Sequence, residues 1–165
     1  MRLRPYISLE DFPVISKWIT DERTHAMWCA NNFDFPLNKD DFDRSLSEVS
    51  TRCGDNPYVA TSDDGKVEGF FCYSVNKDTN EGMFKYVMVD PLLRGQGIGS
   101  KMLSLALENA SKMTHVDSVM LNVFSVNLPA KKCYENVGFT ERKTDANVFK
   151  FNDESWGRCN MVKVF

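Results

Sequence analysis

The chain has 165 residues, 42% hydrophobic and 26% charged, a globular balance that excludes a mainly disordered chain and suits one domain with a sizeable core. Its formal net charge of -3 supplies no global basic field, so nucleic acid is not an expected partner and the mild acidity serves solubility. No stretch approaches the ~18 apolar residues of a membrane span, and the opening MRLRPYISLEDF carries charges where a secretory signal needs an apolar core. Cys29, Cys53, Cys72, Cys133 and Cys159 are scattered, with no C-x-x-C pair, and read as reduced thiols of a cytoplasmic protein. His25 and His115 stand in no ligand spacing, so no metal is expected.

In chain order, RLRPYI alternates as a strand. Ser8 then reads as an N-cap, with Asp11 three residues on in capping-box style, before a helix carrying Phe12, Ile15, Trp18 and Ile19. His25 to Leu37 is aromatic and irregular, predicting a loop with a short helix, and Asn38 caps a second helix through Val49. The grammar then changes to strands: YVATS, the tight turn DDGK, VEGFFCYSV, the turn NKDTNEG, and MFKYVMVD. GSKMLSLALENASKM is an amphipathic helix, DSVMLNVF a buried strand, and LPAKKCYENV a short helix that Gly138 stops. FTERKT and the tail from Trp156 to Phe165 close the chain as strands. The alternation predicts a mixed α/β sheet.

The most informative segment is VMVDPLLRGQGIGS, from Val87 to Ser100. A strand ends at Asp90-Pro91, and a glycine-dense stretch opens a long helix. Helix N-termini expose unpaired N–H groups and carry partial positive charge. Gly95, Gly97 and Gly99 lack a Cβ that would hold phosphate oxygens away, and Arg94 adds a fixed charge, so a pyrophosphate is the natural guest. A Walker loop fails, because Ser100 falls on the second glycine and Met102 on the Ser/Thr position. A dinucleotide fingerprint fails too: Ser100 replaces the third glycine, DPLLR intervenes, and Asp117 precedes the next strand rather than ending it. About thirty residues on, NLPAKKCYENVGF runs from Asn127 to Phe139; Asn127 suits either a helix cap or a ligand contact, and Tyr134 either core packing or chemistry.

These two segments together resemble the GNAT superfamily of N-acyltransferases. The family's R/Q-x-x-G-x-G/A loop is matched by Arg94, Gly97 and Gly99, and its N-x-x-A-x-x-x-Y-x-x-x-G-F motif by Asn127, Ala130, Tyr134, Gly138 and Phe139. The resemblance implies one N-acetyltransferase domain over residues 1–165. Its fold would be a mixed, mostly antiparallel sheet of about seven strands, splayed at the centre and flanked by about four helices. It implies acetyl-CoA as co-substrate and a primary amine, on a small molecule or peptide, as acceptor; the family also contains homodimers. A catalytically inactive CoA-binding sensor or interaction module is the alternative.

By position, the backbone of Val87, Met88 and Val89 would bind the pantetheine arm like an added strand, and Val89 N–H would face the oxyanion. The stretch Arg94, Gly95, Gln96, Gly97, Ile98, Gly99 and Ser100 would hold the pyrophosphate. Asn127 would contact the pantetheine or acetyl end, and Lys131 or Lys132 the outer phosphates, with Lys132 taken here. Tyr134, protonated at neutral pH, would supply a proton to the departing thiolate. Some family members carry a Glu near the position of Met83. Lys85 shares that face by strand parity; the nearest acids are Glu81 and, on the preceding strand, Glu68, and Glu81 acting through water is the expected base, with deprotonation by solvent or a backbone carbonyl as the alternatives. Acceptor specificity is expected in the N-terminal third, with Trp28 and Phe33 lining the pocket and Trp18, His25, Asn32 and Phe35 as further polar and aromatic neighbours.

Overall fold

The computed structural model describes residues 1–165. Strand β1 (Arg2–Pro5) leads into helices α1 (Ser8–Ile15), α2 (Glu22–Cys29) and α3 (Lys39–Cys53). Strands β2 (Asn56–Thr61), β3 (Val67–Asn76) and β4 (Glu81–Val89) follow, then α4 (Ile98–Asn109), β5 (Ser118–Phe124), α5 (Leu128–Asn136), β6 (Thr140–Phe151) and β7 (Glu154–Val164). The seven strands form one sheet in the order β1-β2-β3-β4-β5-β7-β6. Every neighbouring pair is antiparallel except β4 and β5. The flanking α-helices number five rather than about four, because Asp21 caps Thr24 N–H and starts α2 ahead of the irregular aromatic stretch.

The period-2 alternation of the strands divides the core between the two faces of the sheet. On one face, Val59, Phe70 and Cys72 pack with Phe12, Ile15, Phe42 and Leu46 of α1 and α3. On the other, Ala60, Phe71 and Phe84 pack with Met102, Leu103 and Ala106 of α4 and with Tyr134 of α5. Burying a side chain such as Phe42 contributes on the order of 2–3 kcal/mol.

The caps differ from the expectation in one place. Ser8 is the first residue of α1 and caps nothing; Ile7 is the N-cap. Asp11 is buried, and its carboxylate reaches back to Ile7 N–H at 2.7 Å while both Arg4 guanidinium nitrogens donate to it at 2.7 Å. One acid thus fastens the start of α1 to β1. Asn38 caps α3 as expected, accepting from Asp40 and Asp41 N–H, but the helix runs on to Cys53, where Gly54 ends it with φ +69°. The β6 strand also outruns FTERKT, because pairing with β7 continues past an irregularity between Asp145 and Phe149 to the turn before Glu154.

Strand β4 positions the site. It pairs with β5 only from Glu81↔Ser118 to Phe84↔Leu121. Beyond Phe84 the two strands part, while β4 stays paired with β3 to Val89 and β5 stays paired with β7 to Phe124. The split begins at a β-bulge: Cys72 faces Lys85 but Phe70 faces Met88, so β4 carries one extra residue. Tyr86 takes up that residue with φ +52°. As a result Lys85 and Tyr86 both face the α1–α3 side, and the Trp28 indole N–H donates to Tyr86 O at 2.8 Å.

Candidate active site

The glycine loop is a run of free amides. After the 3-10 turn Pro91–Leu93, the N–H groups of Gly95, Gln96 and Gly97 donate to no protein acceptor. Those of Ile98, Gly99 and Ser100 precede the first bond of α4, in which Lys101 N–H donates to Gly97 O at 3.0 Å. No side chain caps this helix, and Arg94, Gly95, Gln96 and Gly97 are all exposed. Gly95 (φ +76°) and Gly97 (φ +78°) are glycine for their backbone conformation, since an added Cβ at either would meet nothing. Gly99 is glycine for packing: a Cβ there would lie 3.1 Å from Cys133 Sγ. A concave row of amides at a helix N-terminus is chemically suited to a phosphate or pyrophosphate.

That loop meets β4 and α5. The Gly99 Cβ position lies 3.5 Å from Val89, and Ser100 Oγ is 3.5 Å from Cys133 Sγ, one residue before Tyr134. The Tyr134 ring is buried edge-on to Phe139, with centroids 6.2 Å apart. Its hydroxyl makes no hydrogen bond within the protein, yet no side-chain polar atom sealed from solvent lacks a partner, so the hydroxyl reaches the surface. Burial pushes its pKa well above the ordinary phenol value, which keeps the proton on Oη at neutral pH. Asn127 Oδ1 caps α5, accepting from Ala130 N–H at 3.3 Å, which leaves its Nδ2 for other partners. Lys131 is paired with Glu141 at 2.7 Å, whereas Lys132 is exposed and makes no ion pair.

The structure does not bring Glu81 to this group. Glu81 sits at the far end of β4, where pairing with β5 is intact, and accepts from Ser118 Oγ at 2.9 Å and from the Arg142 guanidinium. Arg142 holds its carboxyl below the usual range. Its distance from the split follows from strand geometry: each residue advances about 3.3 Å, so four residues separate it from Lys85 by about 13 Å.

On the α1–α3 side the split opens into a cavity of about 350 Å³. Its wall includes Trp28 and Asn32, β4 from Met83 to Tyr86, and β5 from Asn122 to Phe124. Phe33 is not on the wall; it is buried behind Trp28, stacked on it at 5.3 Å and packed on Phe42 and Tyr86. Trp18 is likewise core, and His25 is buried with Nε2 3.4 Å from Cys29 Sγ. Burial pushes the Cys29 thiol up, which disfavours the thiolate. Sequence reasoning missed Asp55, Arg52 and Arg158, which also line the cavity. The Asp55 carboxylate is buried and accepts from Lys85 Nζ at 2.7 and 2.9 Å. No local pattern joins residues 55 and 85; only the register of β2, β3 and β4 does. A second hollow of about 460 Å³, between Tyr6, Asp43 and Ser50, touches neither β4 nor β5. No cluster of His, Cys, Asp or Glu suited to a metal is present, and no helix is long and apolar enough to cross a membrane.

Solved structures share this architecture. A spermidine N-acetyltransferase from Vibrio cholerae, solved with CoA and spermine, superposes with a TM-score of 0.82 at 18% identity, covering 99% of this chain and 94% of that one. The ribosomal-protein-S5-alanine acetyltransferase of Vibrio fischeri gives 0.76 at 15% identity, covering 98% and 91%. Among curated proteins, N-alpha-acetyltransferase 30 of Dictyostelium discoideum is 35% identical over 68 residues, 41% of this chain. The match spans only 36% of that relative's length. The profile of the Acetyltransferase (GNAT) family matches residues 17–139, which include the glycine loop, the split strands and Tyr134. On that match, the chain belongs to the GNAT family of acetyltransferases.

Proposed function

We propose that this protein moves the acetyl group of acetyl-CoA to a primary amine, on a small molecule or peptide, by direct attack in a ternary complex. The observation that carries the reading is the row of unpartnered amides from Gly95 to Ser100, set beside the half of β4 that β5 leaves unpaired. In this reading those amides hold the pyrophosphate, with Arg94 and Lys132 facing the outer phosphates. The backbone of Val87, Met88 and Val89 receives the pantetheine arm as an added strand. Asn127 Nδ2 bonds the same arm.

Acetyl-CoA supplies an acyl group already activated as a thioester. A backbone amide of the open half, at Val89, stabilises the oxyanion. Tyr134 Oη gives its proton to the departing sulfur as the C–S bond breaks, and the proton lost by the newly bonded nitrogen restores the phenol through water. Trp28 positions the split by holding Tyr86 O and walls the acceptor side.

No carboxylate serves as base. Asp55 is the one carboxylate on the cavity wall, and both its oxygens are held by Lys85. The acceptor ammonium therefore loses its proton to water in the open cavity. The rate should follow the acceptor's own titration, near pH 10 for an alkylammonium, with no inflection from the enzyme between about pH 6 and 8.

Release of free CoA thiol, followed across a panel of amines, tests the proposal together with calorimetric titration of acetyl-CoA, ATP and NAD. Binding of acetyl-CoA alone, with amine-dependent thiol release, supports it. Binding without release from any amine makes the protein a CoA-binding module instead. Binding of ATP or NAD but not acetyl-CoA overturns the reading.

A further inference from the structure

We propose that the acceptor carries a carboxylate as well as its amine, and that Arg52 and Arg158 hold that carboxylate at the wall of the cavity. The inference rests on the transferase reading above and adds the class of acceptor. The ionic groups lining the cavity are Arg52, Lys85, Arg158 and Asp55. Asp55 and Lys85 neutralise one another in a bidentate contact. Arg52, exposed in the last turn of α3, makes no ion pair with any residue of the chain. Arg158 has only a long contact, 3.7 Å to Asp145, and its side chain remains 48% exposed. Two guanidinium groups therefore line the cavity, Arg52 with no acid partner and Arg158 with only a long one that Lys143 shares, in a chain whose net charge is -3.

That charge pattern selects against a polycation. A polyamine brings several ammonium groups to a wall with one unpaired and one weakly paired guanidinium and no free acid, and each like-charge approach raises its energy. A carboxylate reverses the sign, and guanidinium is the side chain best shaped to take one in paired hydrogen bonds. The volume, about 350 Å³, lies near the lower bound for small-molecule sites and suits a guest the size of an amino acid. Trp28 and Phe124 on the same wall supply apolar surface for a side chain. The carboxylate end then rests on the arginines at α3 and β7, and the amine points along the wall toward the split of β4 and β5.

The test compares matched acceptors that differ only by the carboxylate: phenylalanine against phenethylamine, and methionine against 3-(methylthio)propylamine, with spermidine as polycation. With kcat/KM expressed per free amine, to remove the lower amine pKa that an α-carboxylate brings, the value is expected to be at least about tenfold higher for the carboxylate member of each pair, the scale of one charge-assisted hydrogen bond. Arg52→Glu and Arg158→Glu should each collapse that ratio, acting mainly through KM. An Arg52→Lys variant should recover part of it, which a merely structural role would not predict. Equal or higher kcat/KM for the decarboxylated amines or for spermidine overturns the carboxylate assignment while leaving the transferase reading intact. So does an unchanged ratio in both variants, or acetylation of no carboxylate-bearing amine despite acetyl-CoA binding. Absence of acetyl-CoA binding overturns both.

Discussion

Strand β4 has two halves with different neighbours. From Glu81 to Phe84 it is hydrogen-bonded on both sides, and its charged residue is locked to Ser118 and Arg142. From Lys85 to Val89 it is bonded to β3 alone, and the bulge at Tyr86 turns two successive side chains toward the α1–α3 face. The closed half is a structural seam. The open half offers backbone groups that a ligand can pair with, and it ends against the glycine loop. A main-chain group left unpaired inside a folded protein is costly unless something else satisfies it. Trp28 does so for the Tyr86 carbonyl.

Perturbing the open half should therefore act on binding and turnover, and perturbing Glu81, at the end of the closed half away from the cavity wall, only on stability. The largest effect is expected at the loop that continues the open half. Gly97→Glu forces a side chain into a left-handed conformation, at about 1–2 kcal/mol, and sets a negative charge among the amides. Acetyl-CoA affinity measured by calorimetry should fall at least about a hundredfold, from charge repulsion and from a loop that relieves its strain by moving the amides out of line. Retained micromolar affinity would break the comparison at its base.

Tyr134→Phe comes next. Removing the proton donor should lower kcat on the order of a hundredfold while leaving acetyl-CoA affinity nearly unchanged, a split that steady-state kinetics and calorimetry read separately. Unchanged kcat would remove its acid role and leave the ring as core packing.

Trp28→Phe keeps most of the apolar wall but leaves the Tyr86 carbonyl without its donor. Urea unfolding should show a loss of about 1–3 kcal/mol, and kcat/KM should fall with it, because the bulge that sets the split is no longer pinned. A loss of stability without any change in kcat/KM would separate the bulge from function.

The smallest effect is expected in the closed half. Glu81→Gln should leave kcat and the pH–rate profile as they are. Its carboxyl is held below the usual range chiefly by the hydrogen bond from Arg142. Its contribution to stability is therefore present above the unfolded value near pH 4.3 and is lost as pH falls through the lower folded value. With Arg142 44% exposed, solvent screening limits the contribution to about 1 kcal/mol or less. Chemical unfolding at pH 7 and at pH 3 should show the variant's deficit shrinking on the acid side. A shifted basic limb in the rate profile would instead bring Glu81 back as a base.

The contrast also explains what was legible in the sequence. The glycine loop could be read because its chemistry is local: each glycine, and the helix start it precedes, lies within a dozen residues. The element order followed from turn signals and hydrophobic period for the same reason. The cavity wall could not be read in this way. Whether Trp28 or Phe33 faces the cavity depends on how α2 seats against Tyr86, and both are equally aromatic in the text. The pairing of Asp55 with Lys85 spans two strands and a bulge. Glu81 is near the open half in sequence, but an extended strand converts a few residues into more than 10 Å. Gly99 reads locally as one more phosphate contact; its additional packing against Cys133 is visible only once α5 lies beside α4.

The most direct test follows backbone amide resonances of isotope-labelled protein during titration with acetyl-CoA. The two-halves account predicts large shifts for Gly95 to Ser100 and for Val87 to Val89, with Glu81 to Phe84 almost still. If the loop and open-half amides stay in place while acetyl-CoA binds elsewhere, or if the closed half shifts as much as the open one, the account is contradicted.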